Sequence, residues 1–519
     1  MAIAAMTRRR PESRRRLPLA LAVFAMAAQA QQGEGAAPSG GSIRPRIAIS
    51  QGWTDNLRLS ETNRDAALIT TVSPGISIVR NTGALRGSLD YSLNGIAYLK
   101  TNYGSQLQNS LTANGQAEII PRTFFVEAQA SIGQQNASAF GLQAAPTLGS
   151  QGSVAALDNP NRRETGTLTV SPLLHGQLGG LASMDLRGNF SITEVRGSSL
   201  GDSRGRGGSL RIAQLNAGVL GWYLLASTQQ VSSVGAASNR NSSAVAGLNY
   251  RPNLDWVFSA NGGQERNDYL SGGGSAQSGF TGGVTAEWTP TPRTRVNGNW
   301  QSHNYGNSYG LSFEHRMRNS VWRVSDSRSV MLGNTGATGG VRTNYDLFFQ
   351  LYASLEPDPV KRDALVRADL QALGLSPDAP AATGFLSTGP SQLRTQMLSF
   401  TLQGVRSNVT ATVSRSITSR LGDNLNQGDL ANNASIEQRS YALTGSYQLT
   451  PVTGLSLTAS RQESVGDASR RAQLTSLICS LNSRLGSRLS LLLGARHSRF
   501  VGVTPYSENA AYATLTQQF

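Results

Sequence analysis

The sequence predicts an all-β fold: a transmembrane antiparallel outer-membrane β-barrel of about 22 strands, with a small helical insert in one extracellular loop. Three observations predict it. The chain is long, 519 residues, yet only 39% of it is hydrophobic, and beyond the N-terminus no apolar run reaches the ~18 residues that a helical span needs. Apolar and polar residues alternate with period two over many segments, as in strands with one apolar and one polar face. Short turns alternate with long loops rich in Gly, Ser and Asn, the asymmetry of barrels whose short turns are periplasmic. The competing fold, a secreted soluble β-solenoid or sandwich, needs a larger apolar core than this composition readily supplies.

The elements follow in order. Residues 1–30 read as a signal peptide. Arg8, Arg9, Arg10, Arg14, Arg15 and Arg16 precede an apolar stretch from Leu17 to Ala28, and Ala28-Gln29-Ala30 is an A-x-A cleavage site. Residues 31–43, rich in Gly, Ala and Ser, read as a flexible periplasmic lead-in. Residues 44–519 read as the barrel. In Phe124–Ile132, Phe124, Val126, Ala128, Ala130 and Ile132 share one face, and Phe125, Glu127, Gln129 and Ser131 the other. Leu85–Leu99, Met184–Ile192, Leu254–Ala260, Leu455–Ala459 and Leu489–Ala495 repeat the pattern.

Ile120-Pro121-Arg122, Arg251-Pro252-Asn253, Thr289-Pro290-Thr291-Pro292 and Val405-Arg406-Ser407-Asn408 read as turns. Residues 136–163, 197–205, 267–277 and 420–435 read as loops. Strand centres run from Ile49 to Thr514, and their even number puts both termini on the periplasmic side. Phe519 closes the last alternating strand and resembles the signal read by the bacterial barrel-assembly machinery. The period breaks in an extracellular loop, 330–392. There Leu347, Phe348, Leu351 and Leu355, then Leu365, Val366, Leu370 and Leu373, recur at helical spacing around Glu356-Pro357-Asp358-Pro359, giving a helical hairpin near 345–373.

Charge and motifs limit the chemistry. Removing six arginines and Glu12 with the signal peptide lowers the formal charge from +15 to +10, and Lys100 and Lys361 are the only lysines. Arginine suits carboxylate and phosphate partners, so outer-membrane lipids and lipopolysaccharide are expected neighbours, and export argues against nucleic acid. Cys479 is alone, so no intrachain disulfide forms. His175, His303, His315 and His497 are scattered without metal-ligand spacing, and no metal or cofactor is expected. Gly197-Ser198-Ser199-Leu200-Gly201 spells G-x-S-x-G but lacks the strand–turn–helix context of a nucleophile elbow. No catalytic set emerges. The alternation marks Arg86, Asp90, Glu127, Asp185, Arg187, Arg295 and Arg323 as lumen-lining candidates. Cross-wall pairing that hydrates the interior is their expected role, with solute selection the alternative.

Several stretches carry a further likeness: Gly52-Trp53-Thr54-Asp55-Asn56-Leu57, Val72-Ser73-Pro74-Gly75-Ile76-Ser77, Ile132-Gly133-Gln134-Gln135-Asn136, Thr343-Asn344-Tyr345-Asp346 and Gly404-Val405-Arg406. With Pro357-Asp358-Pro359 and Phe519, their order resembles the outer-membrane β-barrel family associated with the PEP-CTERM/exosortase system. The resemblance implies a setting beside exopolysaccharide and protein-sorting systems, and it brings no catalytic residues. The expected function is a porin-like conduit or export pore, possible partners being exopolysaccharide or its export proteins. The alternative is a non-conducting barrel that anchors an envelope complex, and an outer-membrane hydrolase is a third reading.

Overall fold

A computed structural model describes residues 41–99, 104–145, 159–198, 201–332 (except 217, 237 and 271–274), 366, 385–387, 389–422, 428–467 and 470–519. The expected signal peptide lies outside these residues. So does the expected helical hairpin, apart from Val366, which is helical and fully buried.

Twenty-two strands form one sheet. In chain order they are β1 Gly41–Thr54, β2 Ala67–Asn81, β3 Leu85–Leu99, β4 Gln106–Ile120, β5 Phe124–Asn136, β6 Arg162–Leu178 and β7 Ala182–Val195. There follow β8 Ser203–Gln214, β9 Leu220–Ser233, β10 Asn239–Tyr250, β11 Trp256–Asn267, β12 Gln277–Thr291, β13 Thr294–His303, β14 Gly306–Arg316 and β15 Ser320–Met331. The last are β16 Ser391–Gln403, β17 Ser407–Arg420, β18 Ser435–Thr450, β19 Thr453–Val465, β20 Arg471–Arg484, β21 Leu489–Val501 and β22 Tyr506–Gln518. A short helix, α1 (Asp429–Asn432), interrupts the β17–β18 loop. Each strand pairs antiparallel with the next, and β1 pairs with β22 from Arg46↔Gln518 to Thr54↔Ala510, so the sheet closes on itself. Closure leaves no strand edge unpaired.

Every expected strand centre falls within a strand, while several ends shift by a few residues: β8 starts at Ser203 within the expected 197–205 loop, and β17 starts at Ser407 within the expected turn. β1 starts at Gly41, so Gly41, Ser42 and Ile43, read as the end of the lead-in, pair with Arg80, Val79 and Ile78. Their composition suits a flexible segment, but the β2 edge offers ladder partners that outweigh it.

Register separates the two faces, because residues opposite one another in a ladder point the same way. Ile49, Val72 and Leu515 form one outward row and are 51%, 41% and 42% exposed. Trp256, Trp288, Trp322 and Phe400 continue the outward apolar surface, with Trp256 stacked on Trp288 and Trp322 against Phe400. On β15–β21 this surface gives way, toward the loop end, to a polar belt. The outward order is Val324 then Asp326, Leu398 then Gln396, Val413 then Arg415, Tyr441 then Arg439, and Ala459 then Arg461. On the inner face, the Tyr512 ring lies over Gly494, where a Cβ would fall 2.2 Å from the ring. A bare glycine there lets an aromatic lie flat on the curving wall.

Candidate conduit and its mouth

Register places all seven predicted lumen residues on the inner face, in the half of the barrel next to the short turns. Five of their carboxylate–cation contacts were set up by the fold rather than visible in sequence. Arg46 grips Asp90 with both guanidinium nitrogens, at 2.7 and 2.6 Å. Arg187 pairs with Glu127, and His175 Nδ1 meets Asp185 at 2.6 Å. Arg323 bonds Glu314 at 2.6 Å, while Arg295 stands 3.4 Å from Glu287. Arg86 is exposed and has no ion-pair partner among the described residues. The side chains of Arg295, His175 and Asp185 keep 69%, 44% and 40% exposure. The lower inner wall is therefore wet, and its charges are largely neutralised in pairs.

The other half of the interior is different. The β1–β2 loop, residues 137–145 of the β5–β6 loop, residues 385–387 and α1 fold inward and pack together against the loop ends of the wall. Leu57, Leu59, Phe140, Phe385 and Leu430 meet Ile69, Ile96, Ile436, Leu474, Phe500 and Tyr506 in one apolar cluster. Polar ties hold the loops to each other and to the wall. The Asp429 carboxylate accepts from Ser138 Oγ at 2.9 Å and from the Ala139 N–H at 2.6 Å. Asn161 accepts from the Ser138 N–H and donates to the Ser138 and Leu142 carbonyls. Tyr506 on β22 donates to the Gln143 carbonyl at 2.6 Å. Asn56, fully buried, donates to the Ser60 and Ser507 carbonyls and accepts from the Ser60 N–H.

Beneath this packing lies a buried ion pair, Arg496–Glu508 at 2.7 Å, with both side chains at most 2% exposed. Glu508 also accepts from Thr54 at 3.0 Å and Ser498 at 2.9 Å, so its oxygens are well satisfied, as a buried carboxylate requires. Sequence reasoning missed this centre. Thr54, Asn56 and Leu57 belong to the Gly52–Leu57 stretch singled out for its likeness, and that stretch is the end of β1 and the start of the β1–β2 loop that enters the mouth.

A second polar centre ties β11, β13 and β14. His303 Nδ1 lies 2.7 Å from Glu265 and Nε2 lies 3.0 Å from Ser308 Oγ. Glu265 also accepts from the Asn304 N–H at 2.6 Å. Tyr305 stacks on His303, and Tyr269 tilts against Tyr305. Burial raises both loop hydroxyls, Tyr269 and Tyr305, above the ordinary tyrosine range, with the Glu265 charge adding to each. The carboxylate–imidazole–hydroxyl order is that of a nucleophile relay. However, Ser308 sits opposite Gln301 in the β13–β14 ladder, where neighbouring N–H groups serve the sheet rather than an oxyanion pocket. The chain fits a lock between wall and loops. The G-x-S-x-G stretch lies between β7 and β8, two strands, with Gly197 and Gly201 at positive φ and Ser199 outside the described residues. Among the described residues no three His, Cys, Asp or Glu side chains gather as a metal site.

A closed 22-strand antiparallel sheet with an apolar outer wall and a wet inner wall defines the class: this chain is an outer-membrane β-barrel. Comparison with solved structures agrees on the fold. The FrpB iron transporter from Neisseria meningitidis (F5-1 variant) is similar at a TM-score of 0.50, with 10% identity over 93% of this chain and 83% of that one. Its apoprotein form gives 0.50 at 9% identity, covering 93% and 82%. The siderophore receptor PirA from Pseudomonas aeruginosa gives 0.44 at 10% identity, covering 93% and 81%. No protein-family model and no curated protein matches the chain.

Proposed function

We propose that this barrel is a passive outer-membrane conduit, porin-like or export-directed, for an envelope solute or polymer. The observation that carries the reading is the division of its interior. The inner wall near the turns is wet and charged, and the loop end holds a packed, hydrogen-bonded cluster of inward-folded loops. Such an arrangement suits a water-filled passage with a constricted mouth. The likeness to the PEP-CTERM-associated barrels supports an exopolysaccharide or envelope-sorting setting. The similarity to an iron transporter supports the barrel and leaves the cargo to be found. Conductance of the purified protein in planar bilayers tests the proposal. Ion-conducting events are expected, more frequent when residues 344–377 are deleted. A barrel that stays closed in both forms favours the anchoring role instead.

The committed ladder around Ser308 supports a non-enzymatic role. A serine-reactive phosphonate probe is expected to leave the folded protein unlabelled. Labelling at Ser308 that is lost in His303→Ala would establish the hydrolase reading.

A further inference from the structure

The polar belt on the outer wall has a composition that an apolar membrane does not explain. Its carboxylates are more covered than its guanidinium groups. Glu437 is held by Arg415 at 2.6 Å and Arg439 at 2.7 Å, and Glu463 by Arg461 and, at 3.5 Å, Arg471. The two carboxylates are 21% and 6% exposed, and the four guanidinium side chains 41–61%. Each acid is therefore shared by two arginines, and the face presented outward is positive. Arg499 on β21 adds another outward cation, opposite Thr475 and one row from His497. It is exposed and has no ion-pair partner among the described residues.

Depth sharpens the point. On β19 the outward residues after the turn are Leu455, Leu457 and Ala459, then Arg461. Six residues at ~3.4 Å each, tilted by roughly 35–45°, rise only about 15 Å, well short of the ~25 Å apolar band of such barrels. The guanidinium groups thus stand at or below the level where the outer leaflet changes from acyl chain to headgroup. Along this row runs a groove of about 840 Å³ lined by Val413, Tyr441, Leu443, Leu477 and Val501, with Arg461 and Arg499 among its walls. An arginine at that depth needs an anionic partner: Arg461 shares Glu463 with Arg471 and Arg499 has no ion-pair partner among the described residues, while the groove beside them gives room for an acyl chain.

We infer that β17–β21 form an outer-wall site for a phosphorylated glycolipid of the outer leaflet, that is, lipopolysaccharide bound through its lipid A phosphates. Arg461 and Arg499 grip the phosphates as bidentate donors, and the groove takes an acyl chain. The site is independent of whether the lumen conducts.

The test uses the full-length protein in detergent micelles and follows heat-modifiable gel migration, together with native mass spectrometry for bound lipid. Lipopolysaccharide is expected to raise the unfolding midpoint and to remain bound. Enzymatically dephosphorylated lipopolysaccharide and inorganic phosphate at equal concentration are expected to do neither. Affinity in Arg461→Ala and Arg499→Ala is expected to fall about tenfold each, or about 1.4 kcal/mol. Equal stabilisation by the dephosphorylated lipid would overturn the site, and that comparison needs only the wild-type chain. Stabilisation by inorganic phosphate alone, or unchanged affinity in the double variant, would also overturn it.

Discussion

Asp429→Ala is the sharpest probe of the mouth. The Asp429 carboxylate holds the β5–β6 loop through Ser138 Oγ and the Ala139 N–H, at 2.9 and 2.6 Å. Hydrogen bonds to a charged group contribute about 1.5–3 kcal/mol each. Asp429 is only partly buried, so the lower end applies, and the two together come to about 3 kcal/mol. At about 1.4 kcal/mol per tenfold, the population with this loop undocked rises roughly a hundredfold. The barrel itself is untouched, because α1 and residues 137–145 lie outside the strand ladders. Two assays read the result. In planar bilayers the variant is expected to spend more time in the conducting state, and limited proteolysis is expected to cut within 137–145 faster. Ser138→Ala removes part of the same tie, so the double variant is expected to be less than additive. Identical open probability and identical cleavage rates in wild type and Asp429→Ala would refute the claim that this loop is a docked closure.

Glu508→Ala leaves Arg496 buried without its partner, which costs about 3–5 kcal/mol; the heat-modifiable transition is expected several degrees lower, whereas Glu508→Gln, whose one amide oxygen can still accept from Thr54 or from Ser498, is expected to lie between. Arg187→Glu places a second acid beside Glu127 in the wet half of the lumen, so a reversal-potential measurement is expected to shift toward cation preference, and no shift would mean that the inner wall does not line the ion path. Tyr269 and Tyr305 hold their protons above the ordinary tyrosine range, so their contribution to loop docking is present below about pH 10, the unfolded tyrosine value, and is lost as pH rises through the folded values. Absorbance at high pH is expected to show these two ionising after the solvent-exposed tyrosines.

The barrel was legible because a closed, lipid-facing sheet leaves little freedom to the sequence. Each strand must alternate, and a one-residue slip would turn every side chain to the wrong face. Even the sparse segments around Ile212 and Phe313 fall within β8 and β14. The lumen charges were legible for the same reason, since Asp90, Glu127 and Arg187 each lie opposite an apolar residue in the alternation. Their partners were less so. Arg46 reaches Asp90 across β2, a neighbour that only the closed register reveals. The mouth was barely legible. Its ties join residues 291 and 363 positions apart, Ser138 to Asp429 and Tyr506 to Gln143, and nothing periodic marks a loop that folds inward. Leu57 and Leu59 offered one signal: apolar residues in a polar loop need a surface to cover.

The two ends of the interior serve different physical requirements. Charges near the turns are paired across the wall, and a pair hydrates the lumen without imposing a strong field on what passes. A stronger field would come from unmatched charge, and Arg44, Arg86 and Arg211 are exposed inner-face cations without an ion-pair partner among the described residues. Selection then falls to the loop end, where apolar contacts among Leu59, Phe140, Leu430 and Phe500 hold several loops as one unit. Each loop covers apolar surface of the others, so the release of one exposes its neighbours. The β1–β2 loop is anchored at both ends by ladder partners and by Asn56, whereas the α1 segment joins the cluster through Leu430 and Asp429. The segment held by fewer ties gives way first. Opening of this mouth is therefore expected to start at α1 and the β5–β6 loop, with the β1–β2 loop remaining as the fixed half of the constriction.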